Sequence, residues 1–118
     1  MGQLSSRLRS SRAGRHAHWC PGCEEMHVIP ARGWTFDGNV ETPSFHPSVK
    51  HTGLRTVVVD GRWTGEWVLD AAGTPIPHCC HYFLTAGELR FCSDSTHPLA
   101  GRTVALPELP AHLADEDI

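Results

Sequence analysis

Cys20-Pro21-Gly22-Cys23 is the sharpest chemical signal in the sequence. Two cysteines separated by two residues can turn both sulfurs onto one ion, and Pro and Gly favour the tight turn this requires. One such pair is half of a metal site. The other donors must come from His27, Cys79, Cys80, His81, Cys92 or His97. We assign Cys20, Cys23 and Cys80 as three ligands, His27 as the fourth and His81 as its alternate. Neighbouring strand residues point to opposite faces, so Cys79 is then a core thiol beside the site. Thiolate and imidazole donors at this spacing select Zn2+. A redox pair fits less well, because Pro30 interrupts the helix that such a motif needs after it. A zinc nucleoside deaminase is excluded, because its acid/base Glu precedes the cysteine pair and no Glu precedes Cys20.

The second constellation is His81, Ser93, Asp94 and His97. His81, Asp94 and His97 are the candidate catalytic residues. They read in three ways: a second metal site, a general base with its orienting carboxylate, or a hydrogen-bond lock on a polar loop. The lock is the plainer reading. No nucleophile elbow, His-Glu-x-x-His or phosphate-binding glycine loop is present.

The elements that must position these residues are short. The 118 residues suffice for one domain, and 11 Gly with 9 Pro favour turns and strands. No stretch sustains a 3.6-residue apolar period. Strands are expected at His16–Trp19, Met26–Pro30, Trp34–Phe36, Arg55–Val59 and Arg62–Leu69. A hairpin is expected from Cys79–Leu84 and Glu88–Cys92 across Thr85-Ala86-Gly87, then a last strand at Thr103–Leu106. Residues 42–49 carry Pro43 and Pro47, which confines them to an edge or an irregular segment. The fold class is therefore mostly β, with a small α+β fold as the alternative: short antiparallel strands and irregular loops stapled by zinc. The staple is useful because a small domain buries little surface.

Charge divides the chain. Residues 1–19 carry four Arg and no acid, whereas all 13 Asp and Glu fall later. We expect a flexible basic arm over 1–15, one zinc-binding domain over 16–107 and an acidic tail over 108–118. Arg7, Arg9, Arg12 and Arg15 could meet nucleic acid or an acidic protein partner. They also occupy the stretch an apolar signal segment needs, so no signal peptide is expected. No run approaches the roughly 20 apolar residues of a membrane span, so no membrane association is expected. Five Cys without a signal peptide speak against a disulfide framework.

Several motifs in order carry a family resemblance. They are Trp19 to Cys23 with His27, Gly33-Trp34-Thr35-Phe36 with Gly38, Glu41 to Val49, Cys80-His81-Tyr82-Phe83, and Ser93 to Gly101 with Thr103-Val104 and Leu106-Pro107. Over roughly residues 18–107 the chain resembles small phage and prophage proteins of unknown function, often labelled ammonia monooxygenase or anaerobic dehydrogenase. Neither label suits this sequence, which has no membrane helices and no dinucleotide loop. The family usually has Asp-Cys-Thr-His where this chain has Asp94-Ser95-Thr96-His97, so that cysteine is not an indispensable ligand unless Cys92, three residues earlier, compensates for it. Residues 50–78 match no motif of the resemblance. Together with the metal ligands, the resemblance implies a zinc-binding phage accessory protein, acting as a structural or protein-interaction module or as a minor virion component, placed in the host cytoplasm or the virion. The alternative is a metal-dependent hydrolase using His81, Asp94 and His97.

Overall fold

The computed structural model describes residues 2–114. Ten strands and one 3-10 turn at Arg12–Gly14 make up the regular structure, and the described residues contain no α-helix. The fold is β-rich, as its turn-rich, non-periodic sequence requires. No helix among the described residues is long and apolar enough to cross a membrane.

Three antiparallel sheets form. Strands β1 (Arg9–Ser10), β2 (His16–Cys20) and β3 (Glu25–Ile29) make the first. Strands β4 (Thr35–Phe36), β5 (Phe45–Leu54), β8 (Pro77–Thr85), β9 (Glu88–Phe91) and β10 (Thr103–Ala105) make the second, in the order β10-β9-β8-β5-β4. Strands β6 (Thr56–Val59) and β7 (Arg62–Trp67) form a separate hairpin between β5 and β8. Ala86 and Gly87 both adopt positive φ, as do Asp60 and Gly61. Two such residues in succession make the tight turn whose twist suits a two-residue hairpin, here β8–β9 and β6–β7.

Strand β5 fits the expectation of an irregular segment over its first residues. Strand β4 flanks only Phe45 and His46, and the pairing with β8 is irregular between Phe45 and Val49. Phe45 pairs with Leu84 and Val49 with Tyr82, so the stretch around Pro47 bulges out of register. A bulge absorbs a residue that cannot donate to the ladder and re-aims the side chains beside it.

One face of β5, β8 and β9 packs against β2 and β3. Leu8, Ile29, Phe45, Val49, Tyr82, Leu84, Leu89, Phe91 and Leu106 form the apolar core. Each large side chain buried there contributes roughly 1.5–3 kcal/mol. Inside it, the His18 ring N–H at Nδ1 donates to Trp19 O at 3.2 Å, and Nε2 accepts from the Tyr82 hydroxyl at 2.7 Å. Burial, then the neighbouring His27, lowers the pKa of His18 to about 4, so the ring is neutral. Burial likewise raises the Tyr82 phenol. Tyr82→Phe should therefore leave Nε2 a buried acceptor without a donor, at a cost of about 1–3 kcal/mol. Urea denaturation checks this, and an unchanged midpoint would contradict it.

The two ends of the chain differ from the expected arms. Leu8 and Arg9 are fully buried. The Arg9 guanidinium donates from Nη1 to Leu113 O at 2.9 Å and from Nε to Ser10 O at 3.0 Å. Leu109 N–H donates to Ser6 O at 2.8 Å. Arg9 is thus held by carbonyls rather than offered to phosphates. Counting charge along 1–15 overlooks Leu8, which the core takes up together with its neighbour. Of the acidic tail, Asp115, Glu116 and Asp117 lie outside the described residues.

Candidate functional site

The β2–β3 turn and β8 bring the Cys20, Cys23, His27 and Cys80 donor atoms within 4.8 Å of one another. This set can hold a metal ion. Cys20 ends β2, Cys23 closes the turn, His27 lies on β3 and Cys80 on β8, so the set ties the first sheet to the second. Cys23 N–H donates to Cys20 Sγ at 3.4 Å, the amide-to-sulfur contact expected of a Cys-Pro-Gly-Cys turn. The three sulfurs also perturb one another. Hydrogen bonds from Cys23 and Cys80 hold the Cys20 thiol far below its ordinary pKa. The same contacts push Cys80 up, and the Cys20 contact pushes Cys23 up. Three crowded sulfurs with charge gathered on one of them are the electrostatic situation that a cation relieves.

Two histidines compete for the fourth position. His97 Nε2 lies 3.3 Å from Cys80 Sγ, but its Nδ1 accepts the Leu99 backbone N–H at 3.2 Å. In a neutral imidazole that places the proton on Nε2, so His97 donates to the sulfur and supports it from outside. His27 Nδ1 is buried with no hydrogen-bond partner among the described residues. An orphaned ring nitrogen on a histidine of this group fits a metal-binding role, and His27, not His97, is the histidine whose ring nitrogen clusters with all three sulfurs. His78 Nε2 also touches Cys23 Sγ, at 3.2 Å, on the wall of a cavity of about 540 Å³.

Gly22 explains how His97 comes so close. A Cβ on Gly22 would lie 2.4 Å from His97 Cε1. The left-handed residue of the turn is Glu24, at φ 54°, so Gly22 is needed for space and not for its φ. Gly22→Ala should displace the ring and destabilise the fold by about 1–3 kcal/mol. Thermal denaturation measures this, and an unchanged Tm would mean that the ring moves aside freely.

The opposite face of the second sheet carries a different group. Cys80 and His81 are adjacent on β8, so alternation sends His81 away from the sulfurs. The alternate metal ligand therefore joins another set. Its Nε2 lies 3.0 Å from Ser48 Oγ. Its Nδ1 lies 3.1 Å from each carboxylate oxygen of Asp94. Asp94 fixes the proton on Nδ1 and leaves the Nε2 lone pair to accept the Ser48 hydroxyl. Ser48 follows Pro47 in the β5 bulge, and the Trp34 indole N–H donates to its carbonyl at 3.3 Å. Asp94 sits in the turn after β9. Desolvation raises its carboxyl, but the His81 hydrogen bond and the charges of His81 and Lys50 outweigh this and hold it below the usual range. Lys50 Nζ is 3.5 Å from Asp94 Oδ2.

A hydroxyl, an imidazole and a carboxylate aligned in that order can serve as a nucleophile, its base and the group that orients the base. Residues 2–92 match the family described as Bacterial ubiquitination-like system serine protease (BubE). The chain belongs to this family. The BubE match contains Ser48 and His81 and ends two residues before Asp94. It also contains Cys20, Cys23, His27 and Cys80. No curated protein and no solved structure matches the chain.

The structure thus divides the sequence-derived candidates between two faces of one sheet. His81 and Asp94 come together, as the base-and-carboxylate reading expects. His97 does not join them, because its ring is wedged between Gly22, Cys80 and Phe91. Ser48 and His78 were missed. The motif Glu41 to Val49 contained Ser48, but no spacing rule links it to His81. Their meeting depends on the β5 bulge and the β5–β8 register.

Proposed function

We propose that this chain is a serine peptidase in which Ser48 is the nucleophile, His81 the general base and Asp94 the residue that orients it. The observation that carries this reading is the line Ser48 Oγ, His81 Nε2, His81 Nδ1 and Asp94, with separations of 3.0 and 3.1 Å. Membership of a family described as serine proteases supports it. Ser48 Oγ attacks the carbonyl carbon of a peptide bond while its proton passes to His81 Nε2. Collapse of the tetrahedral intermediate breaks the C–N bond, and the same proton passes to the leaving amine. Water, deprotonated by His81, then releases the acyl group from Ser48. Asp94 stays ionised throughout and stabilises the imidazolium. The family's description sets such enzymes in a bacterial ubiquitination-like system, and we take the substrate to be a protein of such a system.

The ion held by Cys20, Cys23, His27 and Cys80 is Zn2+ in this reading, because three sulfurs and one imidazole suit that ion. Bound there, it cross-links the two sheets and lies behind the strand that carries His81. Four protein donors leave no place for a water, which supports a structural role.

A second reading is an accessory interaction module of a phage or its host. The hairpin β6–β7 supports it. Trp63 and Trp67 are exposed there with ring centroids 4.7 Å apart. Labelling with a fluorophosphonate, which reacts with activated serines, separates the two. The peptidase reading expects labelling that is lost on Ser48→Ala, and an accessory module would not label.

A further inference from the structure

The geometry points to a second metal site at the serine centre itself: His81, Cys92 and Asp94 bind a soft divalent cation such as Zn2+, and this binding switches Ser48 off. The metal site stands on its own geometry, and the inhibition rests on the serine reading.

One donor atom from each of the three residues lies within 4.8 Å of the others. The register Tyr82 with Phe91 continues to His81 with Cys92, and Cys92 N–H donates to His81 O at 2.8 Å. Cross-strand partners present their side chains on one face, so the thiol and the imidazole are fixed side by side. Asp94 reaches the same point from the following turn, which is held independently of its side chain. Ser95 Oγ accepts from His81 N–H and donates to His81 O, both at 3.0 Å. Thr96 N–H donates to Cys79 O at 2.8 Å. Sulfur, nitrogen and oxygen on a rigid hairpin form a three-donor set suited to zinc. Asp94 is 47% exposed, which leaves the solvent side open to the ion.

Hydrolysis by Ser48 has no use for Cys92. A metal does, and it would disable the base through either ring nitrogen. Bound at Nδ1, it moves the ring proton to Nε2, which then cannot accept the Ser48 proton. Bound at Nε2, it occupies the lone pair directly. In both cases the Cys92 thiol gives its proton to solvent, and binding at Nδ1 also breaks the Nδ1–H bond and makes the Nε2–H bond. Lys50 opposes the ion, because its ammonium already faces Asp94. It therefore sets a threshold on the metal concentration that inhibits.

The test uses full-length protein carrying its structural zinc. Cobalt binds more weakly than zinc to such donors and does not displace it. Added Co2+ should give a thiolate-to-cobalt absorption band that saturates at one cobalt per chain, with the zinc content unchanged. Cys92→Ala should lose the band and at least about ten-fold in affinity. Lys50→Met should bind more tightly. Added Zn2+ should suppress fluorophosphonate labelling of Ser48 in the parent protein, and each variant is compared with and without zinc. In Cys92→Ala the suppression should disappear. A cobalt band that persists in Cys92→Ala, or no second metal at all, overturns the site. Cobalt binding that depends on Cys92 without suppression of labelling overturns the switch. Cobalt binding that depends on Cys92, with no labelling under any condition, upholds the metal site and overturns the serine reading instead.

Discussion

Ser48→Ala should abolish fluorophosphonate labelling and reduce hydrolysis of activated esters and peptides by on the order of 10⁴-fold or more. The fold should be unaffected, because Ser48 is only half buried. His81→Ala should be equally severe, and the double variant little worse than either single one, because nucleophile and base act as a unit. Asp94→Asn should keep the shape of the site but favour the wrong ring tautomer, again costing on the order of 10⁴-fold. The plainer alternative, in which His81 and Asp94 merely lock the loop after β9, predicts the reverse: a lower Tm and no chemical phenotype. Ser95 and Thr96 also bind the loop to β8 through backbone partners, so the loop does not depend on the His81–Asp94 contact alone.

Cys80→Ser is the second large effect. It should release the metal and unfold the protein, and Cys20→Ser should do the same. Cys80 belongs to the five-stranded sheet and Cys20 to the three-stranded one. Removing either breaks the same cross-link from opposite ends. Structural zinc sites in small peptides bind with an apparent free energy of about 10–16 kcal/mol. That is comparable to the roughly 5–15 kcal/mol net stability of a typical domain. After dialysis into zinc-free buffer, which strips the weaker site at His81, Cys92 and Asp94, elemental mass spectrometry should find one zinc per chain in the parent and none in either variant, together with loss of the cooperative thermal transition. Retention of zinc in either variant would contradict the assignment. His97→Ala should be milder and should leave zinc in place, because His97 donates to Cys80 from outside the donor set.

Much of the fold is legible in the sequence because it is local. The Cys-Pro-Gly-Cys turn, the Asp60-Gly61 turn and the hairpin ending at Ala86-Gly87 each announce themselves within a few residues, and the strands around them follow. Strand β5 was legible only in part. Pro43 and Pro47 announce an irregular segment, which the register shift between Phe45 and Val49 bears out, but nothing local shows the strand running on to Leu54 against β8. The burial of Leu8 and Arg9 was hidden for a related reason. Four arginines dominate the composition of the first fifteen residues, whereas the carbonyl that satisfies Arg9 belongs to Leu113.

The two sites differ in the same way. Cys20, Cys23, His27 and Cys80 could be named in advance, because metal donors are few in kind and one pair is adjacent in sequence. Strand alternation, already used to turn Cys79 away from Cys80, also decides the place of His81. It removes His81 from the sulfurs and puts it on the face with Asp94. Ser48 had no comparable signal. A serine is common, its partner is 33 residues away, and only the register of two strands brings them together. His97 misled because three residues from Asp94 suggests a shared site, whereas the chain between them turns and delivers the two side chains to opposite faces.

The most direct test of the account is to map the residue modified by a fluorophosphonate in the folded, zinc-loaded protein, by peptide mass spectrometry. The account predicts one adduct, on Ser48, absent from His81→Ala. No adduct under conditions where the protein is folded, or an adduct on another serine, would contradict it.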